Sequence, residues 1–208
     1  LEINPLSFDI LTNLISKLGL DEHDIKMFKE DATKYKIGKD TPDIIISETM
    51  QNALAKEQQV PIFYNLMSQT GFKAVFIPEK IEISIGLRRA GVSMEEIAPK
   101  HYQKEEKVFE VSKETMKSKN QTTEELTFSD KQTIIEKEKL KEANQVVLIT
   151  EIQVFKDERI NVTESGLTMP LQIASISEND KEAMVINTQY VIGSEPKLEL
   201  KIASLSPV

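Results

Sequence analysis

Apolar residues recur along this chain with two different periods, and the change between them divides it. Leu6, Ile10, Leu14 and Leu18 return every fourth residue, with Leu11 and Ile15 widening the stripe. That spacing marks one face of a helix. Gly19 is placed to end it. Asp21 and Glu22 favour a second start, and Ile25, Phe28, Ala32 and Tyr35 keep a helical face up to Gly38. Thr41, Pro42 and Asp43 read as the cap and first turn of a third helix. Ile46, Met50, Ala53 and Leu54 continue its face. Pro61 is expected to kink or break that helix, and a second half from Ile62 through Met67 runs to Gly71.

Past residue 72 the period becomes two. Ile81, Ile83, Ile85 and Leu87 alternate with Glu82, Ser84 and Gly86, the cleanest strand signal in the chain. Ser93 and Glu96 predict a capping box for a short helix that Pro99 closes. From Lys107 onward the pattern predicts strands at 108–116, around 126–128, and at 145–155, 159–164, 167–176, 182–192 and 197–203. Turn signals lie between them at Ser165-Gly166, Glu178-Asn179-Asp180 and Gly193-Ser194-Glu195-Pro196. Such short connections imply antiparallel hairpins. The expected class is α+β, with a helical region over 1–72. A mostly antiparallel, strand-rich part follows over 73–208, sandwich or half-barrel like. The stretch 103–144 is dense in Lys and Glu and poor in apolar residues, and is expected to project as a solvated hairpin or ribbon.

Composition narrows the function classes. With 39% hydrophobic and 29% charged residues the chain is globular rather than disordered. Its longest apolar run, Val146 to Ile149, is far short of a membrane helix. A net charge of −8 disfavours phosphate backbones as partners. The best local basic patch, Lys73, Lys80, Arg88 and Arg89, is interleaved with Glu79 and Glu82. The absence of cysteine excludes disulfides, zinc–thiolate sites and cysteine nucleophiles within these residues. No signal-peptide pattern follows Leu1, and a cytoplasmic or virion setting is expected over secretion.

Catalytic constellations are sparse. His23 sits in an acidic run at a helix start, and His101 reads as a surface loop residue. Seven glycines form neither GxGxxG nor a phosphate loop. The pairs Glu95-Glu96, Glu105-Glu106 and Glu124-Glu125 read as solvated charge. Asn161-Val162-Thr163 and Asn120-Gln121-Thr122 match the glycosylation triplet.

Two resemblances add little chemistry. The run Ile85-Gly86-Leu87-Arg88-Arg89-Ala90-Gly91-Val92-Ser93-Met94-Glu95-Glu96-Ile97 resembles the helix–turn–helix segment of mercury-resistance regulators, which implies DNA reading. The layout of 46–72, Met169 to Ile173, 185–192 and 197–202 resembles an uncharacterised bacterial family with an amphipathic helix ahead of its strands.

No catalytic, metal or cofactor-binding residue is singled out, and no cofactor is expected. The leading expectation is a non-enzymatic structural or assembly protein acting as a homo-oligomer, such as a phage virion component or a bacterial filament or shell subunit. Its partners would be further copies of itself or other structural proteins. The second expectation is a protein-binding adaptor with an apolar patch at Phe63, Tyr64, Met67 and Phe72. The third is an enzyme whose site is built from acids and hydroxyls.

Overall fold

The computed structural model describes residues 1–20, 23–89, 102–119, 121–123, 125–176 and 183–204. Helix α1 (Pro5–Lys17) forms where the four-residue stripe predicts it. Asn4 caps it, its side-chain oxygen accepting from the Leu6 N–H at 2.9 Å, and Pro5 opens the first turn. A second helix, α2, spans Gln59–Gln69. Gly19 and Gly71 follow α1 and α2 with φ of +66° and +60°, the left-handed region that glycine enters without a Cβ penalty.

The second predicted helix and the first half of the third do not form, while the second half of the third is α2. Residues 23–38 are irregular apart from a turn at 32–34. Asp31 accepts from both the backbone N–H and the hydroxyl of Thr33, at 2.9 and 2.7 Å. Helix α2 then takes the segment's carbonyls. Asn65 donates to Ala32 and Tyr35, at 2.9 and 3.0 Å, and Gln69 donates to Tyr35 at 2.9 Å. Backbone groups held this way are lost to an intrahelical ladder. Ile44–Ile46 forms β1, paired in parallel with β2 (Val75–Ile77). Three successive β-branched residues favour that extended state. Pro61 does not break α2. It sits in the first turn, where its missing N–H has no intrahelical partner to lose.

Strands β3 (Lys80–Arg88) and β6 (Gln145–Phe155) lie where the alternation predicts. They pair antiparallel, with Ile81 opposite Ile152, Ile85 opposite Leu148 and Leu87 opposite Val146, all on the core face. β4 (Tyr102–Ser112) flanks β3 on its other edge. β7 (Glu158–Ile160) and β8 (Leu171–Ser175) share the outer edge of β6 at its two ends, which completes five strands. A three-stranded antiparallel sheet runs β10 (Lys197–Ser204), β9 (Met184–Val191), β5 (Lys131–Ile135). Phe109 of β4 stacks on Tyr190 of β9, ring centres 4.3 Å apart, and Phe128 meets both edge-on. One hydrophobic core draws on α2 and both of these sheets. The class is therefore α+β with mostly antiparallel strands.

The stretch 103–144 does not project. β4 is bonded into the larger sheet and β5 into the smaller one. Between them Ser112 caps α3 (Lys113–Lys117), so the strand predicted over 108–116 ends early. Leu126 and Phe128 are buried outside any strand. The charged run at 131–142 holds β5 and the short α4 (Lys137–Leu140), with Ile135 and Leu140 buried. Lysines and glutamates of the stretch pair across the surface instead: Lys104 with Glu82 and Glu151, Lys107 with Glu110, Lys139 with Glu105, and Lys131 with Glu106 at 2.9 Å. The helix predicted from Ser93 to Pro99 and the turn at 178–180 lie outside the described residues.

Candidate functional site

The residues that the sequence suggests for partner binding belong to the interior. Phe63, Tyr64 and Met67 are 1%, 3% and 1% exposed, and Phe72 packs partly buried against the same core. Phe63 meets Phe76 at 4.4 Å, and the Tyr64 hydroxyl donates to the Gln121 carbonyl at 2.6 Å. Their helical spacing serves the packing of α2, so they form no docking patch.

His23 is exposed in an irregular segment, and His101 lies outside the described residues. Of the helix–turn–helix resemblance, Ile85 to Arg89 is described, and Ile85 to Arg88 is the end of β3. Among the described residues no three His, Cys, Asp or Glu side chains converge as a metal site would need. No described helix is long and apolar enough to cross a membrane.

Among the described residues, a broad cavity of about 630 Å³ is built from four separated pieces of chain. Leu1, Glu2 and Ile3 form one wall, Glu30 to Lys34 a second, Lys56 to Gln58 with Thr49 and Ile62 a third, and Gly193-Ser194 a fourth. A cleft of about 460 Å³ shares Thr33, Lys34 and Gln58 with it and extends to Asn65 and Thr122. Another of about 280 Å³ shares Leu1, Ala32, Thr49 and Ile62 and runs along β1 past Ile44 and Ile46. The three adjoin as one groove, whose broad cavity by itself has the size small-molecule sites take.

Tertiary contacts hold its walls. Gln58 donates to the carbonyls of Gly193 and Ser194, at 2.9 and 3.2 Å, and the Lys56 N–H donates to Pro196 at 2.7 Å. These bonds fasten the 56–58 turn to the β9–β10 hairpin. Behind Thr49, the side-chain carbonyl of Gln59 accepts from Ser47 and Thr49, at 2.7 and 3.0 Å, while its buried amide nitrogen has no partner among the described residues. Ala53, Leu54 and Lys56 all adopt left-handed φ, at 54°, 54° and 67°. Such strain persists only where surroundings over-determine it. Here Thr150 of β6 donates to the Asn52 side chain at 3.1 Å and accepts from the Ala53 N–H at 3.3 Å. The Tyr190 hydroxyl donates to the Leu54 carbonyl at 2.8 Å.

Electrostatically the broad cavity is net negative. Glu2, Glu30, Asp31 and Glu57 line it against Lys34 and Lys56. Asp31 is committed to Thr33, and Glu57 accepts from Gln51 at 3.2 Å. Glu30 lines the cavity and has no ion pair among the described residues.

A separate cleft of about 420 Å³ lies between α2, β3 and α3. Phe63, Met67 and Phe76 contribute to its lining with Lys73, Glu79, Lys80, Glu110, Lys113 and Glu114. Two of its acids are occupied. Glu79 accepts the Lys156 N–H at 2.7 Å. Burial opposes ionisation of Glu110, but hydrogen bonds from Lys107 and Ser112 outweigh it and hold the carboxyl below its ordinary range. These acids thus have less free capacity than Glu30 in the groove.

None of the groove's carboxylates or lysines stands out in the sequence. They come from segments far apart in the chain, and no local spacing marks them.

No family model matches the sequence, and no curated protein matches it. Solved structures do match. A crystal structure of the arginine methyltransferase PRMT6 superposes over 96% of this chain and 82% of its own, with a TM-score of 0.60 and 10% identity. The Trypanosoma brucei PRMT1 enzyme–prozyme heterotetrameric complex with AdoHcy superposes over 93% of this chain and 73% of its own, with a TM-score of 0.54 and 12% identity. At these identities the likeness is one of fold. It overturns the expectation of a non-enzymatic virion, filament or shell component, and with it the adaptor reading, because the fold this chain resembles is that of methyltransferase enzymes.

Proposed function

We propose that this chain is a group-transfer enzyme that moves a methyl group onto a cationic acceptor such as a guanidinium side chain. The observation that carries the reading is the likeness of nearly the whole chain to two arginine methyltransferase structures, one of them in complex with AdoHcy. The groove supports it electrostatically. Four carboxylates against two lysines draw cations, and a guanidinium and a sulfonium are both cations.

The residues present fit an S-adenosyl donor in kind. Glu57 can accept from ribose hydroxyls, Lys34 or Lys56 can pair with the amino-acid carboxylate, and Leu1, Ile3 and Ile62 offer an apolar wall to the base. This donor has no phosphate, so the absence of a glycine-rich cradle is no obstacle. When bound, it would supply an electrophilic methyl on sulfur and leave as the neutral thioether AdoHcy, while the acceptor nitrogen gives up one proton to a groove carboxylate or water. The protein's part is to bind and orient. A free carboxylate such as Glu30 holds a guanidinium through two parallel hydrogen bonds and fixes which nitrogen faces the donor. Ile62 and Leu1 keep that side of the groove apolar.

The test is calorimetric titration of the purified chain with AdoHcy and S-adenosylmethionine, followed by transfer of labelled methyl to an arginine-rich peptide. Saturable binding is expected, with Glu30→Gln and Glu57→Gln each weakening donor or acceptor affinity about tenfold, the loss of one charge-assisted hydrogen bond. A hundredfold excess of ligand over its Kd should stabilise the fold by about 2.7 kcal/mol. Absence of both heat and methyl transfer at millimolar donor would sink the reading.

For the finer architecture, we propose that the five- and three-stranded sheets face one another as a sandwich-like pair. The stacking of Phe109 on Tyr190 across the two sheets supports this.

A further inference from the structure

The cleft of about 460 Å³ that adjoins the broad cavity carries the opposite charge. Lys34 stands where the two meet, and the cleft adds Lys36, Thr122 and Thr123, with Pro61 and Ile192 as its apolar part. Among the described residues no carboxylate lines it, whereas four line the broad cavity. Glu125 stays outside the lining and accepts from the Thr122 hydroxyl at 2.9 Å. Lys34 lies 3.9 Å from Asp31, so part of its charge is already answered. Lys36 is exposed and has no ion pair among the described residues.

The backbone around Lys36 is fixed even though its ammonium is uncommitted. A single side chain of α2 holds it on both sides. Gln69 donates to the Tyr35 carbonyl and accepts from the Ile37 N–H, both at 2.9 Å. Asn65, one turn earlier on α2, donates to the same Tyr35 carbonyl at 3.0 Å. The other side of the cleft is fastened too. The Tyr64 hydroxyl donates to the Gln121 carbonyl at 2.6 Å and accepts from the Gln121 N–H at 2.8 Å, next to Thr122. A cation on an ordered backbone loses less freedom when it binds.

We propose, on the reading of the groove as a methyl-transfer site, that this cleft is a specificity subsite for an acidic side chain of the acceptor, whose carboxylate Lys36 holds. The groove is dipolar. Its broad cavity carries the carboxylates that draw a guanidinium, and the adjoining cleft carries lysines without them. A uniformly basic peptide meets repulsion in the cleft, while a peptide with an acid near its arginine matches both ends. Lys36 is exposed, so the gain is that of a solvated ion pair, about fivefold in affinity at low salt. It should shrink as ionic strength rises.

Fluorescence anisotropy of labelled peptides on the full chain, with and without AdoHcy, tests this. Each peptide carries one arginine among glycines, and a single Asp, Asn or Lys is scanned along both sides of it. At one position the Asp peptide should bind about fivefold more tightly than the Asn peptide, and the Lys peptide more weakly than either. Lys36→Glu should reverse that order, so that the Lys peptide becomes the tightest, with the Tm unchanged. Lys113→Glu changes the net charge equally in the separate cleft, which shares no residue with this one, and should leave the order as it was. A scan in which no position favours Asp overturns the proposal, as does a chain that binds none of the peptides. An order that Lys113→Glu also reverses overturns it by tracing the preference to overall charge. A Lys36→Glu variant that loses AdoHcy affinity instead overturns it by giving the cleft to the donor's carboxylate. The order of peptide affinities is read without methyl transfer, so failure of the subsite and failure of the methyltransferase reading are told apart.

Discussion

A methyl group added at Gly86 tests how closely the central strands of the larger sheet approach. Gly86 lies on β3 between β4 and β6, on the face opposite Ile85 and Leu87, where the pairing with β4 shifts register. A Cβ built there meets the Cδ1 of Ile149 well inside contact distance, and lies 3.1 Å from both the Cγ1 of Ile149 and the Gln103 carbonyl. Ile149 is only 2% exposed and has little room to retreat, and the carbonyl belongs to the bonded backbone of β4. Overpacking of this kind costs about 1–3 kcal/mol. Losing glycine's freedom in the unfolded chain returns roughly 0.5–1 kcal/mol. Gly86→Ala should therefore destabilise by about 1–2 kcal/mol, read as a lower urea midpoint at unchanged m-value.

Ile149→Val removes the clashing terminal carbon and alone should cost about 0.5–1.5 kcal/mol. In the double variant the two losses should fall short of their sum by about 1 kcal/mol, the sign of a shared contact. Residual strain against Gln103 keeps the rescue partial. Costs that add within about 0.5 kcal/mol, or a Gly86→Ala variant as stable as the parent, would refute the reasoning.

Two further outcomes follow from the strained turn beside the groove. Lys56 is exposed with φ of 67°, so Lys56→Gly should relieve left-handed strain and, after the entropy of glycine is set against it, stabilise by roughly 0.5–1 kcal/mol. A destabilised variant in urea melts would contradict that account. Burial raises the pKa of Tyr190, so at neutral pH its phenol is uncharged in both folded and unfolded chains. As pH rises past about 10 the unfolded phenol ionises first, and stability should fall. Tyr190→Phe should flatten that alkaline loss while costing about 1–2 kcal/mol at pH 7, because the Leu54 carbonyl loses its donor. An alkaline limb as steep as the parent's would show that Tyr190 does not set it.

Elements with a strong, uninterrupted period are legible in the amino-acid sequence. β3, β6 and β10 fall where the alternation predicts, and α1 where the four-residue stripe does. Periodicity works there because one face of each element repeats one environment. It fails at 23–58. Ile25, Phe28, Ala32 and Tyr35 are spaced for a helix, but Asn65 and Gln69 of α2 claim the backbone groups that a helix would use. Pro61 misleads for a related reason: its effect depends on where the helix begins, and α2 begins just before it. The charged stretch 103–144 misleads through its average. Most of its residues are polar, yet Phe109, Val111, Met116, Leu126, Phe128, Ile135 and Leu140 fall singly onto buried positions.

The groove is not legible at all in the linear pattern. Its walls come from the N-terminus, 30–34, 49–62 and 193–194, brought together by long-range bonds such as Gln58 to Gly193. The left-handed residues at 53, 54 and 56 carry no glycine to announce them. By itself, then, the sequence determined the α+β class, the long strands and the acidic balance, because these follow from local period and composition. Only the tertiary structure decided which apolar stripe is buried and which, on α1, stays open, and which scattered carboxylates share a groove. Those outcomes depend on what each face meets across the fold, and a one-dimensional pattern does not record it.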